Sequence, residues 1–334
     1  MVTFATYLHP ETALLSKPSE EIASVGFSWP YFQQVREGLF SALRHYPSLP
    51  VREAAEDEFL RVHTATYLNQ LRLMAAGTPP PQLPSLSLEC VGMEHCLPGY
   101  RYSLGGMYAA IDMMSAGTLD RAYCFSFGGH HAYPDSGHGY CVLHPLAAAV
   151  RYAQDQGFAR VLIVDWDHHH GDGTQAIFAN DSSVYCISIH SAADLYMASA
   201  AGLAQGMTSV AEGVGHCNIP LLNAAYSDEF GEQMGLTGRF YRAHESLTVI
   251  EETLNRLPWQ PDLVCIFSGY DAHIDDCGRD ISNWANDDFR HLTKLVLDVA
   301  QQHACPVLSV HGGGYNLPVT IAAAVSHVEV LAGS

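Results

Sequence analysis

The sequence predicts an α/β fold in which helices cover both faces of a mostly parallel sheet. Short apolar runs, such as Val161–Val164 and Leu263–Phe267, are typical of strands that are buried on both faces. These runs alternate with longer stretches of helical periodicity, which is the order of elements expected for a parallel sheet. The Pro- and Ser-rich stretch 78–87 does not separate two compositionally distinct halves. We therefore expect one domain over residues 1–334.

Each element follows from a local pattern. Residues 1–50 carry mixed signals, because several prolines interrupt their periodicity, so no element is predicted there. Apolar and β-branched runs predict strands at 122–127, 161–165, 184–189, 263–267 and 307–310. Helical periodicity predicts helices at 62–76, 105–116, 145–156, 174–178, 240–257 and 287–302.

Composition excludes several classes of function. The chain has 35 acidic and 16 basic residues, a net charge of −19, so we expect no direct binding of nucleic acid, whereas a cationic substrate would suit it. No apolar run approaches the ~20 residues of a membrane span. No secretory signal is visible at the N-terminus.

The nine cysteines are scattered without a CxxC pair, which favours reduced thiols in a cytoplasmic protein. An oligomer is possible.

Ionisable residues are densest in the run Asp165–Gly173, which contains three carboxylates and three imidazoles. It directly follows the strand predicted at 161–165. A plain core strand has no use for these groups, because burying unpaired charge is costly. The carboxyl ends of parallel strands are where α/β sheets build their sites. Four further polar clusters also follow predicted strands, at 128–131, 188–190, 268–273 and 311–316.

Three residues in these clusters have the chemistry of a metal site. Asp167 and His169 are two apart on an extended segment, so their side chains can point the same way. Asp271 can supply another oxygen ligand. Three protein ligands leave a position open for water and substrate, as in catalytic zinc sites.

Proton transfer calls for a second set of residues. His130 and His131 are adjacent imidazoles, and each needs an orienting carboxylate on its other nitrogen. Asp165 and Asp172 are available for that purpose.

The glycine-rich turn before Tyr315 suggests a third component. The Tyr315 hydroxyl can donate a hydrogen bond to a developing oxyanion, while Gly313 allows the backbone to approach a ligand closely. His190 ends a strand and is a further candidate for lining the site. We interpret His138 and His144 as structural or solvent-facing.

These segments resemble the histone deacetylase family, which shares its fold with arginase. The residues that carry the resemblance are GGHHAYPDSGHGYC (128–141), VDWDHHHGDGTQAIF (164–178), SGYDAH (268–273) and GGGYN (312–316). They occur in the family's order and cover about residues 60–320. The details are more similar to the class II and bacterial amidohydrolase branch. The resemblance implies an eight-stranded, mostly parallel sheet with one catalytic Zn²⁺ at its carboxyl edge.

The resemblance also implies a role for individual residues. The zinc ligands would be Asp167, His169 and Asp271. His130 would be held by Asp165, and His131, the general base, by Asp172, while Tyr315 would polarise the substrate carbonyl. Structural K⁺ ions would bind an inner site at Asp165, Asp167, His169, Ser188 and Ile189, and an outer site at Phe178, Asp181 and Val184. Substrate contacts would come from Gly139 and Tyr140 in the acyl channel and from Glu94, the nearest candidate for an acid that grips the substrate.

The chain departs from the family's pattern after His190. The aromatic-proline turn that forms one wall of the substrate tunnel is missing, and Tyr196 or Met197 are the candidates to replace it. His311 stands where an acidic residue or glycine is common. These departures concern specificity and leave the metal ligands unchanged.

We therefore expect a zinc-dependent amidohydrolase that removes an acyl group from lysine or from a small amine such as a polyamine. One alternative is a binuclear manganese ureohydrolase of the same fold, because the run 271–275 resembles that family's Asp-Ala-His-x-Asp motif. Against it, the histidine pair and Tyr315 would have no purpose there. Another alternative is a catalytically silent binding protein, which the complete set of expected residues disfavours.

Overall fold

The computed structural model describes residues 2–24, 28–192, 215–233 and 239–333, and a parallel sheet lies at its centre. The strands are β1 (Phe4–Tyr7), β2 (Ser85–Leu86), β3 (Arg121–Cys124), β4 (Ser136–Gly137), β5 (Val161–Asp165), β6 (Val184–Ser191), β7 (His216–Leu221), β8 (Leu263–Ser268) and β9 (Val307–His311). Seven of them form the main sheet in the order β1-β3-β9-β8-β5-β6-β7, and every neighbouring pair is parallel.

Helices cover both faces of this sheet. They are α1 (Trp29–Leu43), α2 (Ala65–Ala75), α3 (Leu97–Ser115), α4 (Pro145–Asp155), α5 (Asp172–Phe178), α6 (Asp228–Gln233), α7 (Ser246–Leu254), α8 (Asn286–His303) and α9 (Leu317–Ala332). Successive residues of β5 belong to different hydrophobic clusters: Val161 and Ile163 pack with α3 and α4, while Leu162 and Val164 pack with α1, α8 and α9. The expected α/β fold with two covered faces is confirmed.

The expected count of eight strands is wrong, since the main sheet has seven in the part of the chain that the structure describes. The short strands β2 and β4 pair with each other over two residues and do not extend it. The helix predicted at 240–257 is also shorter than expected. Tyr241 is extended, because its backbone bonds to Pro220 and Leu222 beside β7, and α7 begins only at Ser246.

The topology brings the polar segments together. In chain order, β1 and β3 form one side of the sheet, and β5, β6 and β7 form the other. The last strands, β8 and β9, lie between β3 and β5. The carboxyl ends of β3, β9, β8 and β5 are therefore adjacent in the middle of the sheet, where the strand order reverses and ligand sites form. None of the described helices is both long enough and apolar enough to cross a membrane.

Candidate active site

Three side chains converge beyond β5 and β8. The Nδ1 atom of His169 lies 3.2 Å from Asp167 Oδ1 and 3.1 Å from Asp271 Oδ2. One ligand atom from each residue falls within 4.8 Å of the other two. Backbone amides hold the outer carboxylate oxygens, because Gly313 N donates to Asp167 Oδ2 at 2.7 Å and His168 N donates to Asp271 Oδ1 at 2.9 Å. The sequence-predicted metal ligands thus lie together.

The electrostatics of this group fit a divalent cation. Asp167 and Asp271 are almost completely buried, at 1% and 0% exposure. Burial, and then the charge of Asp167, raise the pKa of Asp271 to about 7. Burial acts in the same direction on Asp167, but His130 and His169 outweigh it and hold the pKa of Asp167 well below its usual range. Carboxylate oxygens and imidazole nitrogens are both ligand types that zinc accepts.

Two His–Asp pairs lie beside this group. His130 Nδ1 is 2.9 Å from Asp165 Oδ2, and His131 Nδ1 is 2.7 Å from Asp172 Oδ1. The two imidazole centroids are 3.9 Å apart, and both rings are buried. The pairing of each histidine with its carboxylate is therefore the one that the family resemblance implies.

The two histidines differ in charge. Burial lowers the pKa of His130, but Asp165 and Asp167 outweigh it and raise the value to about 9. Burial, followed by the charge of His130, lowers the pKa of His131 to about 3. The surroundings therefore favour the neutral, basic form of His131 and the protonated form of His130. Titratable groups with separated pKa values identify the acid and base of a site.

Tyr315 lies on the turn that follows β9. Its ring centroid is 6.1 Å from that of His169, at an interplanar angle of 82°. Although the residue is 50% exposed, desolvation of its hydroxyl and the carboxylates of Asp271 and Asp167 raise its pKa well above the usual value. The group therefore stays protonated and can donate a hydrogen bond. A Cβ atom at Gly313 would lie 2.6 Å from Asp271 Oδ2. Any larger residue at this position would therefore collide with that carboxylate.

Asp276 holds this turn and was missed from the sequence, where it reads as part of a solvated acidic loop. Its Oδ2 accepts hydrogen bonds from the backbone amides of Tyr315, at 2.7 Å, and of Asn316, at 2.9 Å. The Asn316 side chain donates in turn to the backbone oxygen of Asp275 at 2.9 Å. No local sequence signal distinguishes Asp276 from Asp275, because the bonds depend on the approach of two distant loops.

The cavity at this edge has a volume of about 370 Å³ and includes the expected channel residues. Gly139 has a φ of +58°, and a Cβ there would lie 2.3 Å from His131 Cδ2, so only glycine fits against the His131 ring. Tyr140 follows with a φ of 59°. Glu89, another residue missed from the sequence, accepts a 3.0 Å hydrogen bond from Gly139 N. The cavity is lined by Tyr31, Phe32, Phe127, His130, His131, Gly139, Tyr140, Asp167, Phe267, His311, Gly313 and Tyr315, among others.

Two candidate substrate residues lie elsewhere in the described structure. Glu94 is buried, and its carboxylate accepts a 2.9 Å bond from the amide of Gly92. His190 is buried beside His170, with ring centroids 4.3 Å apart, and its Nδ1 lies 3.0 Å from Ser188 Oγ. Neither residue is among those that line the cavity. The proposed tunnel-wall residues Tyr196 and Met197 lie outside the described residues.

Backbone oxygens converge where the outer potassium site is expected. A Cβ atom on Gly215 would lie 2.9 Å, 3.1 Å and 3.2 Å from the carbonyl oxygens of Phe178, Asp181 and Val184. Oxygen ligands suit a hard cation, so this cradle fits K⁺. At the expected inner site, Asp165 and Ser188 are paired across neighbouring strands, Ile189 follows Ser188, and Asp167 and His169 follow β5.

The motif that raised the ureohydrolase alternative does not form a metal set here. His273 Nδ1 accepts a 3.0 Å bond from the amide of Asp275, and its ring stacks on Phe289. Among the described residues, the groups of three or more potential ligands include neither His273 nor Asp275.

Comparison with known proteins shows the family. Residues 31–331 match the family model described as the histone deacetylase domain. The chain is 31% identical to the histone deacetylase-like amidohydrolase of Pseudomonas aeruginosa, over 84% of this chain and 69% of that protein. It is 30% identical to the acetoin utilization protein AcuC of Bacillus subtilis, over 80% of this chain and 66% of that protein.

Two further matches are with a polyamine deacetylase and with a solved structure. The polyamine deacetylase HDAC10 of Danio rerio is 29% identical, over 81% of this chain and 38% of that protein. The crystal structure of the HDA15 HD domain matches with a TM-score of 0.73 and 22% identity, over 100% of this chain and 90% of the other. The second likeness is one of fold.

Proposed function

The chain belongs to the histone deacetylase family, and from this premise we propose that it is a zinc-dependent deacylase. Its substrate is an acylated lysine or a small acylated amine such as a polyamine, and it hydrolyses the amide bond. The observation that carries the proposal is the convergence of Asp167, His169 and Asp271 beside the neutral base His131. A catalytically silent protein would have no reason to keep a buried base next to a metal site.

The residues of the site divide the chemistry among them. Zinc held by Asp167, His169 and Asp271 would supply a Lewis acid and a water of lowered pKa. His131 accepts a proton from water as the water oxygen bonds to the amide carbon, and it returns the proton to the amine nitrogen when the C–N bond breaks. The products are a carboxylic acid and an amine, which at neutral pH are a carboxylate and an ammonium ion.

Two neighbours assist His131. Asp172 holds its Nδ1, so Nε2 is the nitrogen that exchanges the proton. The Tyr315 hydroxyl donates a hydrogen bond to the carbonyl oxygen as negative charge develops there. His130, kept cationic by Asp165, adds positive charge beside the reacting group.

Charge and relatives together favour a cationic amine as the leaving group. The chain carries a net charge of −19, which attracts cations. Two relatives, from Danio rerio and Homo sapiens, are named polyamine deacetylases.

We also propose that K⁺ binds the carbonyl oxygens around Gly215. We further propose that the protein does not bind nucleic acid directly and that it acts in the cytoplasm.

A substrate panel on the purified, zinc-loaded protein tests the proposal. Acetyl-lysine peptides, longer acyl-lysines and acetylated polyamines are incubated with the wild type and with His131→Ala as the matched inactive control. We expect release of free amine by the wild type from at least one class. Zinc bound without hydrolysis of any of them would favour the silent binding protein, and two manganese ions per chain with release of urea from guanidino substrates would favour the ureohydrolase.

A further inference from the structure

One buried imidazole beside the catalytic base has no role in the mechanism above. His138 is 6% exposed, and neither of its ring nitrogens makes a hydrogen bond of regular geometry. Leaving buried polar atoms without partners is costly, and evolved proteins rarely tolerate it without a compensating role. The surroundings of His138 indicate what that role is.

His138 Nε2 lies 3.1 Å from Asp172 Oδ2, the carboxylate oxygen that His131 does not use. The distance is that of a hydrogen bond, although the geometry is not regular. The phenol of Tyr133 donates to the same Oδ2 at 3.2 Å. On the other oxygen, Oδ1 accepts from His131 Nδ1 at 2.7 Å and from the amide of Gly173 at 3.0 Å. Asp172 is thus surrounded by donors on both of its oxygens.

The backbone fixes His138 in this place. The amide of Cys141 donates to the His138 carbonyl at 2.9 Å, which closes a tight turn. Within the turn, Gly139 and Tyr140 have φ values of 58° and 59°. For Tyr140 this left-handed conformation is unfavourable, and such strain persists where the surrounding structure requires it. The same turn packs Gly139 on His131, so the His138 ring keeps a fixed relation to that base, with ring centroids 5.4 Å apart.

We propose that His138 is a positioning residue for the deacylation reaction: its Nε2–H donates to Asp172 Oδ2 and, with Tyr133, keeps Asp172 Oδ1 directed at His131. The proposal rests on the proposed function. Hydrogen bonds at catalytic sites are often poorly aligned without substrate and tighten in the reacting complex. This accounts for the irregular geometry of the contact between His138 Nε2 and Asp172 Oδ2.

A second metal ion is the competing use of the same residues. Ligand atoms of His131, His138 and Asp172 lie within 4.8 Å of one another. A metal at this point would compete with the hydrogen bond between His131 and Asp172 that orients the base. The positioning role keeps the bond between His131 and Asp172. The two hypotheses therefore predict different metal contents, one ion per chain for the positioning role and two for the second metal site.

Three variants test the role by kinetics. His138→Leu removes the donor, His138→Gln keeps a donor near the Nε2 position, and His95→Leu is the control, because His95 is a similarly buried histidine whose ring bonds to Ser16. We expect His138→Leu to lower kcat by about ten-fold with KM nearly unchanged, as for the loss of one hydrogen bond to a charged group. His138→Gln should recover most of kcat, the control should retain wild-type kcat, and all should bind one zinc.

Coupling to Tyr133 provides a further check. Because both donors share one oxygen, the loss in the double variant His138→Leu/Tyr133→Phe should differ from the product of the two single losses. Wild-type kcat in His138→Leu, or equal losses in the leucine and glutamine variants, would overturn the proposal. Two metals in the wild type and one in His138→Leu would overturn it in favour of the second metal ion.

A measurement without turnover separates this proposal from the proposed function. Histidine ¹⁵N NMR of the zinc-loaded protein reports which ring nitrogen of His138 carries the proton. We expect a protonated Nε2 whose resonance shifts in Asp172→Asn. A proton on Nδ1 alone, with a bare Nε2, would overturn the positioning role even if the wild type hydrolysed no substrate, whereas absent hydrolysis with the expected resonance would count against the proposed function alone.

Discussion

The carboxylate of Asp276 accepts a 2.7 Å hydrogen bond from the backbone amide of Tyr315. Asp276 lies in the loop after β8 and Tyr315 in the turn after β9, so this bond joins the segment of Asp271, a proposed metal ligand, to the segment of Tyr315, the proposed oxyanion donor. A second bond, from the amide of Asn316 to the same oxygen, fixes the direction of the turn. The position of the Tyr315 hydroxyl therefore depends on a residue that does not itself line the cavity.

Replacing Asp276 by alanine should lower turnover by about ten-fold while zinc stays bound, because the turn loses the acceptor for two amides. Steady-state kinetics and metal analysis measure both effects. Asp275→Asn is the matched control, since that exposed side chain pairs with Arg279 and not with the turn. Equal kinetics in the two variants would show that Asp276 does not position Tyr315.

Replacing Tyr315 by phenylalanine removes only the hydroxyl. We expect turnover to fall by about 100- to 1,000-fold, the usual cost of one oxyanion donor, with one zinc still bound. Pre-steady-state kinetics should place the loss in the chemical step. Unchanged turnover would refute the role of the hydroxyl.

Replacing Asp167 by alanine should remove the metal and all hydrolysis, because the ligand set loses a buried carboxylate and the acceptor for the amide of Gly313. Metal analysis after dialysis is the measurement. Asp155→Asn is a control in the same chain, since that exposed side chain pairs with Arg61 and lies outside the proposed metal sites. A full zinc complement in Asp167→Ala would refute the ligand assignment.

Acid should destabilise the fold through buried neutral histidines. Burial lowers the pKa of His63 to about 4 and of His327 to about 3, whereas an unfolded histidine titrates near 6.5. Below about pH 6.5 the unfolded chain therefore binds more protons, so stability falls as pH decreases through this range. Between pH 7 and pH 5 each group should cost about 2 kcal/mol.

Urea unfolding at the two pH values, on wild type and His327→Gln, measures this effect. The variant should lose less stability on acidification than the wild type, because glutamine does not titrate and can still bond to Thr293 or Ser309, the partners of the His327 ring. An identical pH dependence in both proteins would contradict the assignment to His327.

Local patterns predicted the parts of the site that lie on single segments. The spacing of Asp167 and His169 predicted that both side chains lie on one side of an extended segment. In the structure the two side chains do lie together. Contacts between distant loops gave no local signal. Asp276 reads like its neighbour Asp275, and His138 was interpreted as structural or solvent-facing, yet it lies against Asp172.

The differences between the predicted and the observed fold have both local and tertiary causes. Pro30 is one of the prolines within residues 1–50, where no element is predicted, but it lies in the first turn of α1, where proline is tolerated. The strand β1 has only four residues and depends on pairing with β3. In the run at 240–257, helical periodicity continued through Tyr241, although tertiary pairing beside β7 holds that residue extended.

A zinc titration of the metal-free protein tests the central claim most directly. The protein is stripped with a chelator, zinc is added in steps, and release of amine from an acylated lysine or polyamine is followed at each step. The account predicts that turnover is absent without metal, rises in proportion to zinc, and reaches its maximum at one equivalent per chain. Turnover that is already full in the metal-free protein, or that requires two manganese ions per chain, would contradict it.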